Sequence, residues 1–100
     1  MYKFKKIIWG NINTSSVENM QALFGDCNSL TTIINLSKFD TASSTIMGYM
    51  FYDCWNLKYL DLSNFDTSKV TSVEYMFYGC RSLLYLNLYS FKLNNTMIKT

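Results

Sequence analysis

The chain has 100 residues, of which 49% are hydrophobic, and its nine basic and seven acidic residues leave a net charge of +2. A chain of this length and apolar content can form one domain with a continuous core, which excludes an intrinsically disordered protein. Basic residues are scattered apart from Lys3, Lys5 and Lys6, and His is absent. This composition argues against a basic nucleic-acid surface and against a His-dependent nucleophile.

The first predicted element is a short strand at about Lys5 to Trp9, which ends a unit whose beginning is absent. Its apolar run, Ile7 to Trp9, is far shorter than the about 7–15 residues of a signal-peptide core. No stretch approaches the about 20 apolar residues of a membrane span. We therefore expect no export signal, no anchor and no membrane insertion in this segment.

One sequence pattern then recurs three times. Its cysteine stands at Cys27, Cys54 and Cys80, which are 27 and 26 residues apart. Its later leucines keep a spacing of 26 both times, so one extra residue is expected between Leu30 and Ile34. The shared apolar positions, termed the ladder, are Phe24, Cys27, Leu30, Ile34, Leu36, Phe39, Phe51, Cys54, Leu57, Leu60, Leu62, Phe65, Phe77, Cys80, Leu83, Leu86, Leu88 and Phe91. A period in this range is typical of a solenoid whose units bury their apolar edges against one another.

Ahead of each cysteine, the apolar spacing predicts a short helix. In the first copy, apolar residues fall at i, i+3, i+6, i+7 and i+10, which marks one helical face. These residues are Val17, Met20, Leu23, Phe24 and Cys27. Asp26, Asp53 and Gly79 directly precede the three cysteines, and these residue types tolerate the left-handed conformation that ends many helices.

After each cysteine, a Leu-x-x-Leu-x-Leu run predicts a strand. In Leu60-Asp61-Leu62 the leucines are expected to face inward and Asp61 outward. Strands joined through crossover helices run parallel. The predicted fold class is an α/β repeat solenoid, with a parallel sheet on one side, short helices on the other and about three repeats of 26–27 residues. We expect a single array over residues 1–100, with units of roughly 1–27, 28–54, 55–80 and a partial 81–100, cut from a longer array.

The central copy reads Met-Phe-x-x-Cys-x-x-Leu-x-x-Leu-x-Leu-Ser-x-Phe-Asp-Thr-Ser-x-Val-Thr over residues 50–71. This motif resembles the repeat of BspA-like leucine-rich repeat surface proteins, which is also found in lipoprotein-associated repeats. The resemblance covers nearly the whole chain. It implies a leucine-rich-repeat horseshoe or short solenoid, and a cell-surface or extracellular protein that adheres to host components or to other cells.

Two sets of repeated side chains suggest chemistry. The three cysteines predict a ladder of buried thiols, with a disulfide between two of them as the lesser alternative. Without His they lack a fourth zinc ligand. Asp40 and Asp66 follow adjacent strands and could bind calcium or form an acid–base pair, although Asp-Thr at a turn more commonly caps backbone amides. We therefore expect no metal, no cofactor and no catalytic residue.

The outward-facing strand positions form the candidate binding surface. Its predicted ligand-binding residues are Asn35, Tyr59, Asp61, Tyr85, Asn87 and Tyr89, and Ile33 is expected to face outward beside them. Tyr provides a large contact area and a hydrogen bond at low entropic cost. The alternative is that these residues only stabilise the sheet, at about 0.2–1 kcal/mol for each cross-strand contact.

The expected function is non-enzymatic recognition or adhesion, in which the concave strand face binds a protein or glycan on host or neighbouring cells. No nucleic-acid partner is expected. The alternative is a structural spacer or self-assembling repeat unit without its own ligand, because uncapped apolar ends would associate end to end by strand pairing. Substitution of Tyr59 and Tyr85 separates the two, since a spacer would keep its activity.

Overall fold

The fold is seen in a computed structural model that describes residues 6–8, 10, 12–34 and 36–92. Its regular elements are four short strands and a single turn of 3-10 helix. The strands are β1 (Lys6–Ile8), β2 (Thr32–Ile34), β3 (Tyr59–Asp61) and β4 (Tyr85–Asn87), and the 3-10 turn is Leu36–Lys38. The candidate residue Asn35, together with Lys3, Lys5 and Trp9, lies outside the described residues.

The predicted α/β repeat solenoid is wrong. The described residues contain no α-helix, and the strands form two separate two-stranded sheets instead of one continuous sheet. The molecule is a compact globule with extents of 34 × 30 × 21 Å and a radius of gyration of 12.7 Å, close to the about 13 Å of a globular 100-residue domain. Both strand pairs are parallel, as the sequence pattern predicted.

Consecutive tight turns replace the three predicted helices. We term these stretches the first, second and third turn segments (residues 17–27, 44–54 and 71–80). Residues four apart in each adopt the left-handed backbone conformation: Ala22 and Asp26, Tyr49 and Asp53, Tyr75 and Gly79. A helix cannot pass through such residues, because each one reverses the sign of φ. The apolar residues three and four positions apart, which predicted helices, instead lie in a series of four-residue turns.

The turn segments are joined side by side by backbone hydrogen bonds. Every second amide of the first segment donates to a carbonyl of the second, and the second segment bonds the third in the same way. For example, Phe24 N–H donates to the Met50 carbonyl at 2.9 Å, and Phe51 N–H donates to the Met76 carbonyl at 3.0 Å. These bonds use amides that a helix would have bonded internally, which explains why the turns are preferred.

Strand pairing corrects the predicted register of the first copy. In the second sheet Leu60 pairs with Leu86, while in the first sheet Ile7 pairs with Ile33. Ile33 is buried in the core, so the prediction that it faces outward is wrong. Lys58 N–H also donates to the Thr31 carbonyl, which joins the second copy to the first.

The core is built from rings stacked on their counterparts in the neighbouring copy. Phe24, Phe51 and Phe77 form one stack, with centroid distances of 5.4 and 6.0 Å. Phe39, Phe65 and Phe91 form the second stack, at 5.9 and 6.2 Å. Most ladder residues of the first two copies are buried, whereas those of the third are half-buried or exposed.

Three buried threonines link the copies at the turns after the strands. Each hydroxyl donates to the carbonyl and accepts from the amide of one residue in the next copy, so that both backbone groups are satisfied. The pairs are Thr14 with Asp40, Thr41 with Asp66, and Thr67 with Lys92. The amide-to-hydroxyl distances are 2.8–2.9 Å.

Candidate functional site

The most regular part of the predicted binding surface is a tyrosine pair on β3 and β4. Tyr59 and Tyr85 are paired in register, and their rings stack with centroids 4.5 Å apart and planes 8° apart. The neighbouring Leu60 is buried, so alternation along the strand turns Tyr59 outward. Tyr59 is 49% exposed and Tyr85 42% exposed. We term the outward side of these two strands the strand face.

Two polar candidates lie next to these rings and also shape the backbone. Asp61 accepts a hydrogen bond from Ser63 N–H at 2.9 Å, and Asn87 accepts one from Tyr89 N–H at 2.9 Å. The Asn87 side-chain amide also donates to the Tyr85 hydroxyl at 3.3 Å. Hydrogen bonds from the Ser63 side chain and backbone lower the pKa of Asp61, so it is a carboxylate at neutral pH.

A shallow depression lies beside the tyrosine pair. It has a volume of about 200 Å³ and is lined by Ile33, Leu36, Ser37, Tyr59, Asp61, Ser63 and Asn64. Its wall thus combines an aromatic ring, a carboxylate and small hydroxyl groups. Burial, followed by the effects of Tyr85 and Asp61, raises the pKa of Tyr59, so its phenol stays a neutral donor.

The structure brings together four of the six predicted ligand-binding residues. Tyr59, Asp61, Tyr85 and Asn87 lie on adjacent paired strands. Tyr89 lies beyond β4 and is almost fully exposed, and it takes no part in the stacked pair. Asn35 lies outside the described residues.

The two repeated aspartates act as turn caps. Asp40 accepts from Ala42 N–H, and Asp66 accepts from Ser68 N–H, each at 2.9 Å. The hydrogen bonds from Ser68 are the main reason that the pKa of Asp66 is lowered. In the described part of the chain, no three His, Cys, Asp or Glu residues are grouped closely enough to hold a metal ion.

All three cysteines are free thiols. Cys54 donates to the Phe24 carbonyl at 3.0 Å, and Cys80 donates to the Phe51 carbonyl at 2.9 Å. Burial is the largest cause of the raised pKa of each thiol, and it brings the pKa of Cys54 to about 12. A thiol that keeps its proton is a poor nucleophile and a poor metal ligand.

A second aromatic surface, which the sequence did not predict, lies on the turn segments. Tyr49, Tyr52, Tyr75 and Tyr78 form a four-membered group, which we term the tyrosine cluster. Neighbouring rings have centroids 5.2–5.6 Å apart. These four tyrosines line a depression of about 310 Å³. The signal in the sequence was a Tyr-x-x-Tyr pair repeated 26 residues later, which the helix prediction concealed.

The described residues include no helix long and apolar enough to span a bilayer. Fold and surfaces together define a small turn-rich protein with exposed aromatic surfaces on its strands and on its turn segments.

The chain belongs to the family described as "Mycoplasma protein of unknown function, DUF285", whose match extends over residues 1–99. Searches of curated proteins and of solved structures gave no match.

Proposed function

We propose that this protein is a non-catalytic recognition and adhesion module that binds a protein or glycan through the strand face. The observation that carries the proposal is the stacked pair Tyr59–Tyr85, which stays exposed on paired strands beside a depression that contains Asp61. Aromatic rings on a regular backbone are held in place before a ligand arrives, so little conformational entropy is lost on binding.

The chemistry of the strand face suits an uncharged ligand with hydroxyl or amide groups. The two rings offer apolar area, and their phenols can donate and accept hydrogen bonds. Asp61 is ionised and lies at the rim of the depression, where its carboxylate can accept from a ligand hydroxyl or amide.

Two further observations support a surface role without enzymatic activity. The repeated motif resembles that of BspA-like surface proteins, and this finer assignment and the cell-surface location are part of the proposal. The chain contains no His, and the raised pKa values of its thiols leave no activated cysteine nucleophile.

The test uses fluorescent beads that carry the protein. Attachment to cultured epithelial cells and to a glycan array is compared for the wild type and for the double variant Tyr59→Ala/Tyr85→Ala. We expect the double variant to lose attachment by about tenfold or more, since truncating a central aromatic anchor commonly costs about 2 kcal/mol or more. Trp55→Ala is the control, because Trp55 is an exposed aromatic residue whose ring contacts Arg81 instead.

Equal attachment of wild type and double variant would contradict a binding role for the strand face. Unfolding of the double variant would make it uninformative, so its circular dichroism and urea midpoint are recorded first. The single variant Tyr85→Phe is a smaller change, since it keeps the stacked rings and removes only one hydroxyl group.

A second candidate function, self-assembly without a ligand, is favoured by the outer edges of the turn segments. The amides of Tyr75, Phe77 and Gly79 have no backbone partner within the described ranges, although the equivalent amides of the second segment all donate. The carbonyls of Gln21 and Gly25 are likewise unbonded there. A row of donors and a row of acceptors with the same spacing can pair between two copies of the chain.

Light scattering with circular dichroism over a concentration series tests this candidate. Apolar side chains are exposed near both outer edges: Ile12, Val17 and Leu23 near one, and Leu84, Leu86 and Leu88 near the other. Self-assembly predicts a mass that grows with concentration and returns to the monomer in Leu86→Lys/Leu88→Lys. A constant monomer mass with intact secondary structure would contradict it.

A further inference from the structure

The tyrosine cluster differs from the strand face in its surroundings. The four rings form a closed circuit of contacts, in which each ring touches the next: Tyr49 to Tyr52, Tyr52 to Tyr78, Tyr78 to Tyr75, and Tyr75 to Tyr49. Tyr75 is 50% exposed and Tyr78 56% exposed, so the cluster faces solvent. Its depression is lined by these rings alone among the described residues.

The backbone does not require tyrosine at these positions. Tyr49 and Tyr75 have φ values of 60° and 52°, in the left-handed region where bulky side chains are uncommon. The equivalent residue of the first segment, Ala22, has a φ of 58°, so the turn forms with a methyl group there. Gly or Asn would fit the conformation with less strain. Formation of the turn therefore does not explain why tyrosine occupies these two positions.

The first turn segment leaves a gap beside the cluster. Ala22 and Gly25 stand where the other two segments carry tyrosine, and a second depression lies at this point. It has a volume of about 500 Å³ and is lined by Gln21, Ala22, Gly25, Asp26, Tyr49 and Tyr52. The rings are thus open to a ligand from above and from one side.

The charged residues of the turn segments that carry the cluster are all negative. The three turn segments contain four acidic residues, Glu18, Asp26, Asp53 and Glu74, and no Lys or Arg. The whole chain has a net charge of +2, but its nine basic residues all lie outside the turn segments, together with the remaining three acidic residues (7 − 4 = 3). The nearest basic residue in sequence, Arg81, has its guanidinium 4.9 Å from the centre of the Trp55 ring.

The carboxylates lie close enough to act on the rings. An added Cβ at Gly79 would collide with the Asp53 carboxylate, which places that group beside the residue that follows Tyr78. The pKa of Tyr52 is raised by burial first, and then by Asp53, Tyr78, Asp26 and Tyr49. Neutral rings edged by carboxylates attract cations and repel phosphates.

We propose that the tyrosine cluster binds a cationic side chain of a partner polypeptide, an arginine or lysine held over the rings by cation–π contact and attracted by Asp26 and Asp53. A cation placed over rings 5.2–5.6 Å apart lies within the about 6 Å of several ring centroids that this interaction requires. The site shares no residue with the strand face, and it binds a positively charged group whereas the strand face suits an uncharged one.

The test titrates the protein, labelled with carbon-13 in its tyrosine rings, with the peptide (Gly-Arg)4 and with the neutral peptide (Gly-Gln)4. We expect (Gly-Arg)4 to shift the ring resonances of Tyr49, Tyr52, Tyr75 and Tyr78 and to leave those of Tyr59 and Tyr85 in place. Binding should weaken as salt rises, because exposed charges are screened. Comparable binding of (Gly-Gln)4, or shifts confined to Tyr59 and Tyr85, would overturn the proposal.

Four variants test the contribution of single residues to this binding. Tyr78→Leu should weaken (Gly-Arg)4 binding about 2–5-fold, because it loses one exposed cation–π contact. Tyr78→Phe keeps the aromatic ring and should bind about as tightly as the wild type. Asp53→Asn should weaken binding and reduce its salt dependence. Tyr78 is more than half exposed, so Tyr78→Leu should fold, and Tyr75→Leu provides an independent variant if it does not. Unchanged affinity in Tyr78→Leu and Tyr75→Leu would overturn the proposal, whereas loss of bead attachment in Tyr59→Ala/Tyr85→Ala bears only on the strand face.

Discussion

The second and third copies of the sequence repeat have nearly the same ladder residues but different surroundings. Leu60 in the second copy is 1% exposed, and its partner Leu86 in the third is 38% exposed. Phe51 stacks between two rings, whereas among the described residues Phe77 has a ring contact on one side only. The second copy has a neighbour on both sides, and within the described residues the third has one.

This difference shows that burial here depends on the neighbouring copies. A ladder leucine is shielded by the equivalent residues before and after it, so the same side chain contributes a different amount in each copy. The two copies therefore provide matched positions at which a substitution should have unequal effects.

The largest difference is expected for a charge introduced into the strand core. Leu60→Asp loses the about 1.5–3 kcal/mol of a buried leucine and buries an unpaired carboxylate, so it should unfold the protein. Leu86→Asp leaves its carboxylate partly exposed to water, so it should lower the free energy of unfolding by less, under about 2 kcal/mol. Urea denaturation followed by circular dichroism measures both.

Asp61→Leu is the control for this register, because Asp61 lies next to Leu60 and points the other way. We expect it to fold, with a modest loss from the missing Ser63 hydrogen bond. Equal loss of stability in Leu60→Asp and Asp61→Leu would contradict the strand orientation, and equal loss in Leu60→Asp and Leu86→Asp would contradict the comparison of the two copies.

A smaller difference is expected for the buried threonines. Thr41→Val leaves the amide and carbonyl of Asp66 without their partner and should lower the free energy of unfolding by about 1–3 kcal/mol. Thr67→Val should have less effect, because its partner Lys92 is exposed and its carbonyl contact is longer, at 3.4 Å. The readout is the urea midpoint, and a larger loss in Thr67→Val would be inconsistent with this ranking.

The smallest difference concerns alkaline pH. The folded pKa of Cys54 is about 12 against an ordinary 9.0, so the folded state holds this proton more tightly than the unfolded state does. The resulting stabilisation is complete below pH 9 and is lost as the pH rises from 9 towards 12. The urea midpoint should therefore fall as the pH rises from about 9 towards 12, and fall less steeply in Cys54→Ala.

Cys80 is the matched position for this effect. Its pKa is also raised, but its side chain is only partly buried, so it should react with a thiol reagent before Cys54 does. Mass spectrometry after limited alkylation gives the order. Faster modification of Cys54 would show that the second copy is not the better protected one.

The sequence predicted which residues are neighbours better than it predicted their backbone. Residues 26 or 27 apart do stack, as in Phe24–Phe51 and Tyr59–Tyr85, because equivalent side chains recur at that spacing. The helices were wrong because apolar spacing of three and four fits a run of turns equally well. The sequence indicated the left-handed residues at Asp26, Asp53 and Gly79, but Ala22 and Tyr49 are not residue types that signal this conformation, so the earlier reversal of φ was not expected.

The candidate site shows the same limit. The pair Tyr59–Tyr85 could be predicted from strand alternation, whereas the burial of Ile33 could not, because Ile33 and Ile34 are adjacent and equally apolar. The tyrosine cluster was missed because its members were assigned to helices. The contacts among its rings depend on consecutive turns, which place residues three apart on one side of the molecule.

Most hydrogen bonds between the turn segments run from an earlier amide to a later carbonyl, and the two exceptions, Thr45 to Glu18 and Thr71 to Thr45, lie at the start of the segments. One outer edge of the segments therefore presents donors, and the opposite edge presents acceptors. Two donor edges cannot bond each other, so no two-fold axis can relate copies that pair through these edges. Head-to-tail pairing of this kind either closes into a ring or grows into a polar filament whose two ends differ.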